Sequence, residues 1–436
     1  MSISRRKFLQ LGAGAAGATA FGAGTWAALI RDHAGKAPVS APVIPDPNDP
    51  PTASTTLPTA STTIDTRRDN VLVVLQLSGG FDGLNTLIPD DGRYQDARPN
   101  LAIDPAKRIA LKGESHFSLH PALAPLASFW DAGHLAAVES VGYTNASRSH
   151  FEALDWWWNG APGPSTGAGW LGRWLDSTQP STDNPLRAVA LGSAVPALIA
   201  DTTIATVVLS PDAFALKAPK GSDRKALVDA LMSTTAPLSN DPLSLALQNA
   251  TRSTIESIGT FDKLKAAAAT GVAAQLNPGR GNDLMTAMTT AAQLVTSGFG
   301  TRVVYVNTSG FDTHANQLAT HEQLYKEVAD SVTAFFDAVS KAGAADKVML
   351  MTVSEFGRRV AENASGGTDH GAANVQFVIG PKVKGGVYGQ LDLANLQNGD
   401  LRPTIDTRSL YTIGLDWLGA DVTGVLDKRY DTLGVI

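Results

Sequence analysis

The sequence predicts an α/β fold, a mostly parallel central sheet with helices on both faces. Three observations predict it. Short β-branched apolar runs such as 71–77 and 301–306 show no polar alternation, which is how strands buried on both faces read. Longer stretches, 316–339 most clearly, carry apolar residues at helical spacing. The two kinds of run alternate along most of the chain, the order in which crossover helices cover a parallel sheet. An apolar share of 43% over 436 residues is ample for the core that such a sheet needs.

The elements follow in order. The run 71–77 stops at Ser78-Gly79-Gly80, so the first strand ends there. Residues 121–132 have helical spacing, 135–141 return to strand, and 149–158 read as helix. Weaker strands are predicted at 188–191 and 206–209, and long helical patterns at 243–269 and 282–296. After the strand at 301–306, the helix at 316–339 has Leu324, Val328, Val332, Phe335 and Val339 on one face. Strands at 347–353 and 375–379 and a helix at 406–418 complete the series. One α/β domain over 69–436 is expected, with 193–268 as a possible insertion or cap because it is poorer in strong strands.

A different pattern precedes this domain. Ser4-Arg5-Arg6-Lys7-Phe8-Leu9-Gln10 pairs two arginines with two large apolar residues, and an uncharged Ala/Gly-rich run continues to Ile30. That run is too weakly hydrophobic for an ordinary membrane span, which carries more Leu, Ile and Val. Residues 1–36 therefore read as a twin-arginine export signal, with the Tat translocase as the partner during export. The expected location is the periplasm or the cell exterior, or the inner membrane where the signal is retained. Residues 37–68, rich in Pro, Ser and Thr, read as a flexible tether.

Composition excludes several chemistries. The chain has no cysteine, which removes disulfides, iron–sulfur clusters, thiolate zinc sites and cysteine nucleophiles. Its net charge of −6 and lack of a basic block argue against nucleic acid as a partner. A redox enzyme is disfavoured by the missing cysteine ligands and by the lack of a dinucleotide fingerprint.

The carboxylates and histidines fall beside the predicted strands. Asp82 lies past the first strand in Gly79-Gly80-Phe81-Asp82-Gly83-Leu84-Asn85. Asp312 and His314 follow the strand that ends at Val306, and Glu355 follows the one that ends at Val353. His370 lies in Gly366-Gly367-Thr368-Asp369-His370-Gly371, and His150 opens a helix in Ser147-Arg148-Ser149-His150. Taken singly, each has a plain structural reading, as a helix cap, a turn or a satisfied histidine. Jointly they indicate one site, because a parallel sheet gathers its strand ends along one edge. In extended backbone Asp312 and His314 point the same way, since the side-chain period is two. Carboxylate and imidazole without thiolate suit zinc, manganese or iron, with magnesium admissible where oxygen dominates. Two such ions about 3.5–4 Å apart would clamp an ester oxyanion and activate a nucleophile.

The first strand with its Gly-Gly-x-Asp-Gly-Leu-Asn loop, Arg148-Ser149-His150-Phe151, Gly310-Phe311-Asp312-Thr313-His314, Ser354-Glu355-Phe356-Gly357-Arg358 and Thr368-Asp369-His370-Gly371 together resemble an exported bacterial family, domain of unknown function 1501. The resemblance runs from about Asn70 to near the carboxyl terminus. That family in turn resembles the alkaline phosphatase and sulfatase superfamily. The resemblance implies a metal-dependent hydrolase of phosphate or sulfate esters, with one or two divalent ions and an anionic small-molecule or polymer substrate. It implies Asp82, Asp312, His314, Glu355 and His370 as metal ligands, Glu355 standing where the superfamily usually has Asp. Three departures accompany it. The Asp312-x-His314 spacing is short, Phe356 stands where a histidine would follow the acid, and the absence of cysteine excludes a formylglycine nucleophile made from it.

Ser149 is the leading candidate nucleophile, at a helix start where the dipole favours an anion, and Ser147 is the second. Both residue types also serve as helix caps. Arg358 and Arg359 are candidates to hold a phosphate or sulfate bidentately, or else form surface ion pairs. His150 is a ligand or a neighbour of one. Of Trp156, Trp157 and Trp158, at least two are expected in the core, since three in a row spread around a helix. The competing functional reading is a non-catalytic periplasmic binding or assembly protein on the same fold.

Overall fold

The computed structural model describes residues 69–161, 167–178, 184–209, 214, 223–233, 248, 250–259, 262 and 283–436. The export signal at 1–36, the tether at 37–68, much of the possible cap at 193–268 and most of the helical pattern at 243–269 lie outside the described residues. No described helix is long and apolar enough to cross a membrane.

Twelve strands are described: β1 (Val71–Leu77), β2 (Leu87–Pro89), β3 (Ile109–Ala110), β4 (Phe117–Leu119), β5 (Leu135–Gly142), β6 (Ala188–Leu191), β7 (Thr206–Val208), β8 (Val303–Thr308), β9 (Val348–Val353), β10 (Asn374–Ile379), β11 (Gly386–Tyr388) and β12 (Ile405–Asp406). The main helices are α1 (His150–Asn159), α2 (Trp170–Thr178), α3 (Arg224–Ser233), α4 (Asp283–Thr296), α5 (Gln317–Lys341) and α6 (Thr407–Trp417). The large sheet has the order β11-β5-β10-β9-β1-β8-β6-β7, with β12 also on β5. Its pairings are parallel except at β10, which runs antiparallel to both β5 and β9. Strands β2, β4 and β3 form a small antiparallel sheet that the sequence reading did not anticipate.

The alternation of β1 explains its unbroken apolar run. Val71, Val73, Leu75 and Leu77 pack into the layer that holds Leu284 and Met288 of α4 and Val328, Val332 and Phe335 of α5. Leu72 and Val74 pack into the opposite layer with Trp156 and Trp157 of α1, Trp170 and Trp174 of α2, and Leu410 and Ile413 of α6. Each such side chain contributes about 1.5–3 kcal/mol by leaving water. Trp156 and Trp157 are in the core as expected, and half-buried Trp158 donates from Nε1 to Gln76 Oε1.

Two local departures have clear causes. The helix expected at 121–132 is a 3₁₀ turn, Pro121–Leu126, followed by a short α-helix, Ala127–Asp131, because Pro125 has no N–H to continue the α pattern. Helix α2 escaped prediction because Gly172 interrupts its apolar stripe. A Cβ there would lie 1.7 Å from Ile199 O, so the glycine is required by the close approach of two backbones.

The topology assembles the site. Strands β1, β5, β8 and β9 point the same way, so their carboxyl ends share one edge. Antiparallel β10 starts at that edge, which brings in the loop before it. Five chain segments therefore meet there: 78–82, 143–150, 309–314, 354–359 and 366–373.

Candidate metal centre

Asp312 is the focus of the edge. Beyond Thr308 the chain turns at Gly310, whose φ is +111°. Asp312 and His314 then point the same way, with His314 Nε2 3.1 Å from Asp312 Oδ1. The first loop packs directly beneath them, since a Cβ on Gly79 would lie 2.3 Å from Asp312 N. Asp312 Oδ1 is also 3.0 Å from His370 Nε2 and 2.8 Å from Arg358 Nη2, and Oδ2 is 3.3 Å from His150 Nε2. Burial pushes its carboxyl up, but hydrogen bonds from Arg358 and His370 and the Arg358 and His150 charges outweigh this and hold it well below the usual carboxylate range.

Three imidazoles face this carboxylate, each with Nδ1 engaged on the far side. His370 Nδ1 lies 2.8 Å from Arg148 O, His150 Nδ1 2.8 Å from Glu355 Oε1, and His314 Nδ1 3.2 Å from Asp369 Oδ1. A carbonyl or carboxylate only accepts, so each Nδ1 carries a proton and each ring presents its Nε2 inward. The Nε2 atoms of His314 and His370 are 3.0 Å apart, and that of His370 also hydrogen-bonds Asp312 Oδ1 at 3.0 Å. His150 Nε2 is buried and makes no hydrogen bond. Its 3.3 Å approach to Asp312 Oδ2 is thus a close charge contact without hydrogen-bond geometry. The hydrogen bond to Glu355 raises the His150 pKa against desolvation, with help from the Glu355 and Asp312 charges. The neighbouring carboxylates thus favour positive charge at this point. Ligand atoms of His150, Asp312 and His370 lie within 4.8 Å of one another, a separation suited to one ion.

The expected site residues separate into groups. Asp312, His314 and His370 come together, and His150 joins them at the centre. Glu355, expected as a ligand, stands one layer back. Its Oε1 accepts from Gly79 N–H at 2.8 Å and from His150 Nδ1, so it fixes the orientation of the His150 ring. Asp82, also expected as a ligand, is turned inward. It caps the helix Gly83–Thr86 through Leu84 N–H, and its Oδ2 lies 2.5 Å from both Arg98 Nη1 and Gln317 Nε2. Arg358, expected to meet substrate or solvent, is wholly buried. It donates to Gly80 O at 2.6 Å, Thr368 O at 2.9 Å, Phe311 O at 3.0 Å and Gly79 O, and thereby ties three site loops together. Ser149 precedes α1 half-buried, with no capping hydrogen bond from its hydroxyl, whereas Ser147 Oγ is engaged by Glu152 at 2.7 Å. Among the described residues one ligand group forms, where one or two ions were expected.

Gln317 links the buried Asp82–Arg98 pair to the site. Its Oε1 accepts from Thr313 Oγ1 at 3.2 Å and from Thr368 Oγ1 at 2.6 Å, one residue from Asp312 and two from His370. Desolvation pushes the Asp82 carboxyl up, and the Arg98 charge and hydrogen bond bring it below its ordinary value. Arg98→Met strands that charge in the core, and its expected cost is about 3–5 kcal/mol. Chemical denaturation checks this, and adding Asp82→Asn should recover part of the loss. Equal stability of Arg98→Met and the parent would contradict it.

The family described as "Protein of unknown function (DUF1501)" matches residues 147–426. No curated protein matches the chain. Among solved structures, the phosphonate monoester hydrolase of Silicibacter pomeroyi is similar at 11% identity and a TM-score of 0.36, over 83% of this chain and 75% of that one. The alkaline phosphatase of the Antarctic bacterium TAB5 is similar at 12% identity and a TM-score of 0.33, over 81% and 98%. A sulfatase from Pseudoalteromonas sp. is similar at 11% identity and a TM-score of 0.37, over 81% and 68%. Likeness at this distance assigns no chemistry to the chain.

Proposed function

The chain belongs to the DUF1501 family, and from the centre it carries we propose that it is an exported, metal-dependent hydrolase of phosphate or sulfate esters. The observation that carries this reading is the convergence of three imidazole Nε2 atoms on one carboxylate. Every Nδ1 is anchored, and His150 Nε2 is buried without a hydrogen bond.

These residues fit a divalent transition metal. His150, Asp312 and His370 would hold it, with His314 at the edge, and an imidazole-rich set with one carboxylate favours zinc, manganese or iron over magnesium. A metal bound there supplies Lewis acidity toward an ester oxygen and lowers the pKa of a coordinated water.

The chain's own groups do the rest. Glu355, Asp369 and the Arg148 carbonyl fix the ring planes, and that support is worth about 10–100-fold in metal affinity for a typical site. Arg358 keeps Asp312 ionised and holds its loop against Gly79 and Gly80. Ser149 offers an unbonded hydroxyl at the amino end of α1, where the helix dipole favours developing negative charge. It is the residue proposed to attack, and Ser149→Ala separates this role from direct attack by water.

The test is elemental analysis of protein purified from the periplasm, followed by assay on aryl phosphate and aryl sulfate monoesters. Near-stoichiometric zinc, manganese or iron together with turnover is the expected result. Protein that neither retains a metal nor takes one up on addition would overturn the reading.

A further inference from the structure

Two arginines beside the centre share one buried carboxylate. Arg148 Nη2 contacts Asp400 Oδ2, and Arg359 Nε lies 3.3 Å from Asp400 Oδ1. The Asp400 side chain is 4% exposed, whereas the Arg148 and Arg359 side chains are 45% and 35% exposed. Arg359 Nη2 also donates to Asn398 O. A guanidinium has five N–H donors in a planar fork, and these contacts leave several of them on the exposed side of each arginine. The buried anion thus orients two cations and neutralises only one charge.

The backbone of both arginines belongs to the metal centre. Arg148 O accepts from His370 Nδ1, and the residue is followed by Ser149 and His150. Arg359 N–H donates to Asp369 O at 2.9 Å, and the residue follows Arg358, which grips Asp312. Neither arginine contacts a ligand through its side chain, so neither charge is used by the centre itself. They stand on its rim, on the two loops that carry His150 and precede His370.

We propose that Arg148 and Arg359, positioned by Asp400, form an anion-binding site for a second, non-reacting phosphate or sulfate group of the substrate. The inference rests on the hydrolase reading and deepens it. The substrates would be esters bearing at least two such groups, as in a polyanionic polymer or a multiply phosphorylated or sulfated small molecule. Planar guanidinium forks match the oxygens of both anions bidentately, and such charge-assisted bonds are the stronger kind. An uncompensated positive rim also draws polyanions toward the centre.

The test separates this site from the metal by working in an Asp312→Asn background. Inorganic phosphate and sulfate are titrated into the full chain by calorimetry. The expected result is binding in that background, weakened at least about tenfold by Arg148→Gln/Arg359→Gln, since the variant forfeits the charge-assisted bonds to the anion. That pair strands Asp400, so Arg148→Gln/Arg359→Gln/Asp400→Asn is the matched variant with no buried charge left. It should show the same loss. No binding in the Asp312→Asn protein, or equal binding in the triple variant, would overturn the proposal. These outcomes do not depend on whether the centre turns over an ester. With metal loaded, the double variant should raise KM more for a bis-phosphorylated monoester than for a mono-phosphorylated one. An equal rise would place the arginines on the reacting group and reject a second-anion site.

Discussion

Asp312→Asn should fold like the parent, lose its metal, and hydrolyse monoesters at least about 10³-fold more slowly. Asparagine keeps an oxygen for the 2.8 Å contact with Arg358, so the buried clamp stays satisfied and the loop keeps its place. What disappears is the negative charge on which His150, His314 and His370 converge. The substitution removes the anionic donor and the charge that attracts a dication at this half-exposed position, so the metal is expected to be lost on purification. The rate follows, because Lewis-acid polarisation of an ester is worth several kcal/mol and each 1.36 kcal/mol is tenfold. Elemental analysis, thermal melting and steady-state kinetics on one preparation check all three parts. A variant that melts like the parent, holds no metal and still turns over would separate the activity from this centre.

Glu139→Gln should stabilise the protein at pH 8 and do little near pH 4. Glu139 lies in β5 where the pairing with β10 shifts register and Ser140 takes a left-handed φ of +55°. The bulge leaves the carboxyl fully buried. Desolvation raises its pKa from 4.5 to about 8, and the Ser140 N–H pulls weakly the other way. Below pH 4.5 both folded and unfolded chains hold the proton, and the group has no effect on stability. Between 4.5 and about 8 the unfolded chain has released the proton while the folded chain keeps it, so stability falls as pH rises. At 1.36 kcal/mol per unit the full penalty reaches about 5 kcal/mol, and glutamine removes it because it cannot ionise. Denaturation of the two proteins from pH 4 to 8 should give curves that diverge with pH. Parallel curves would show that Glu139 ionises in the folded chain.

The fold was legible because its signals are local. An unbroken run such as Val71–Leu77 can be buried only between two layers, and the stripe of α5 at Val328, Val332, Phe335 and Val339 can face only one. The Asp312-x-His314 pair was legible for the same reason, since two residues of extended backbone set both directions. The small β2-β4-β3 sheet and α2 were not, because their elements are short and their glycine and register answer to partners elsewhere in the chain.

By itself the sequence determined the α/β class, the main strands and helices, the cysteine-free ligand chemistry and three of the four groups at the centre. Tertiary structure decided the roles. His370 precedes its strand, and only the antiparallel course of β10 brings that end to the shared edge. Which carboxylates turn toward the centre depends on what already holds their oxygens. Asp82 is taken by Arg98, 16 residues away, and Glu355 by His150, 205 residues away. His150 became central because that bond turns its Nε2 inward, and Arg358 became a clamp because four carbonyls surround it. Such contacts have no local spacing to betray them, since hydrogen bonds are assigned by distance in space and only the packed sheet brings their partners within reach.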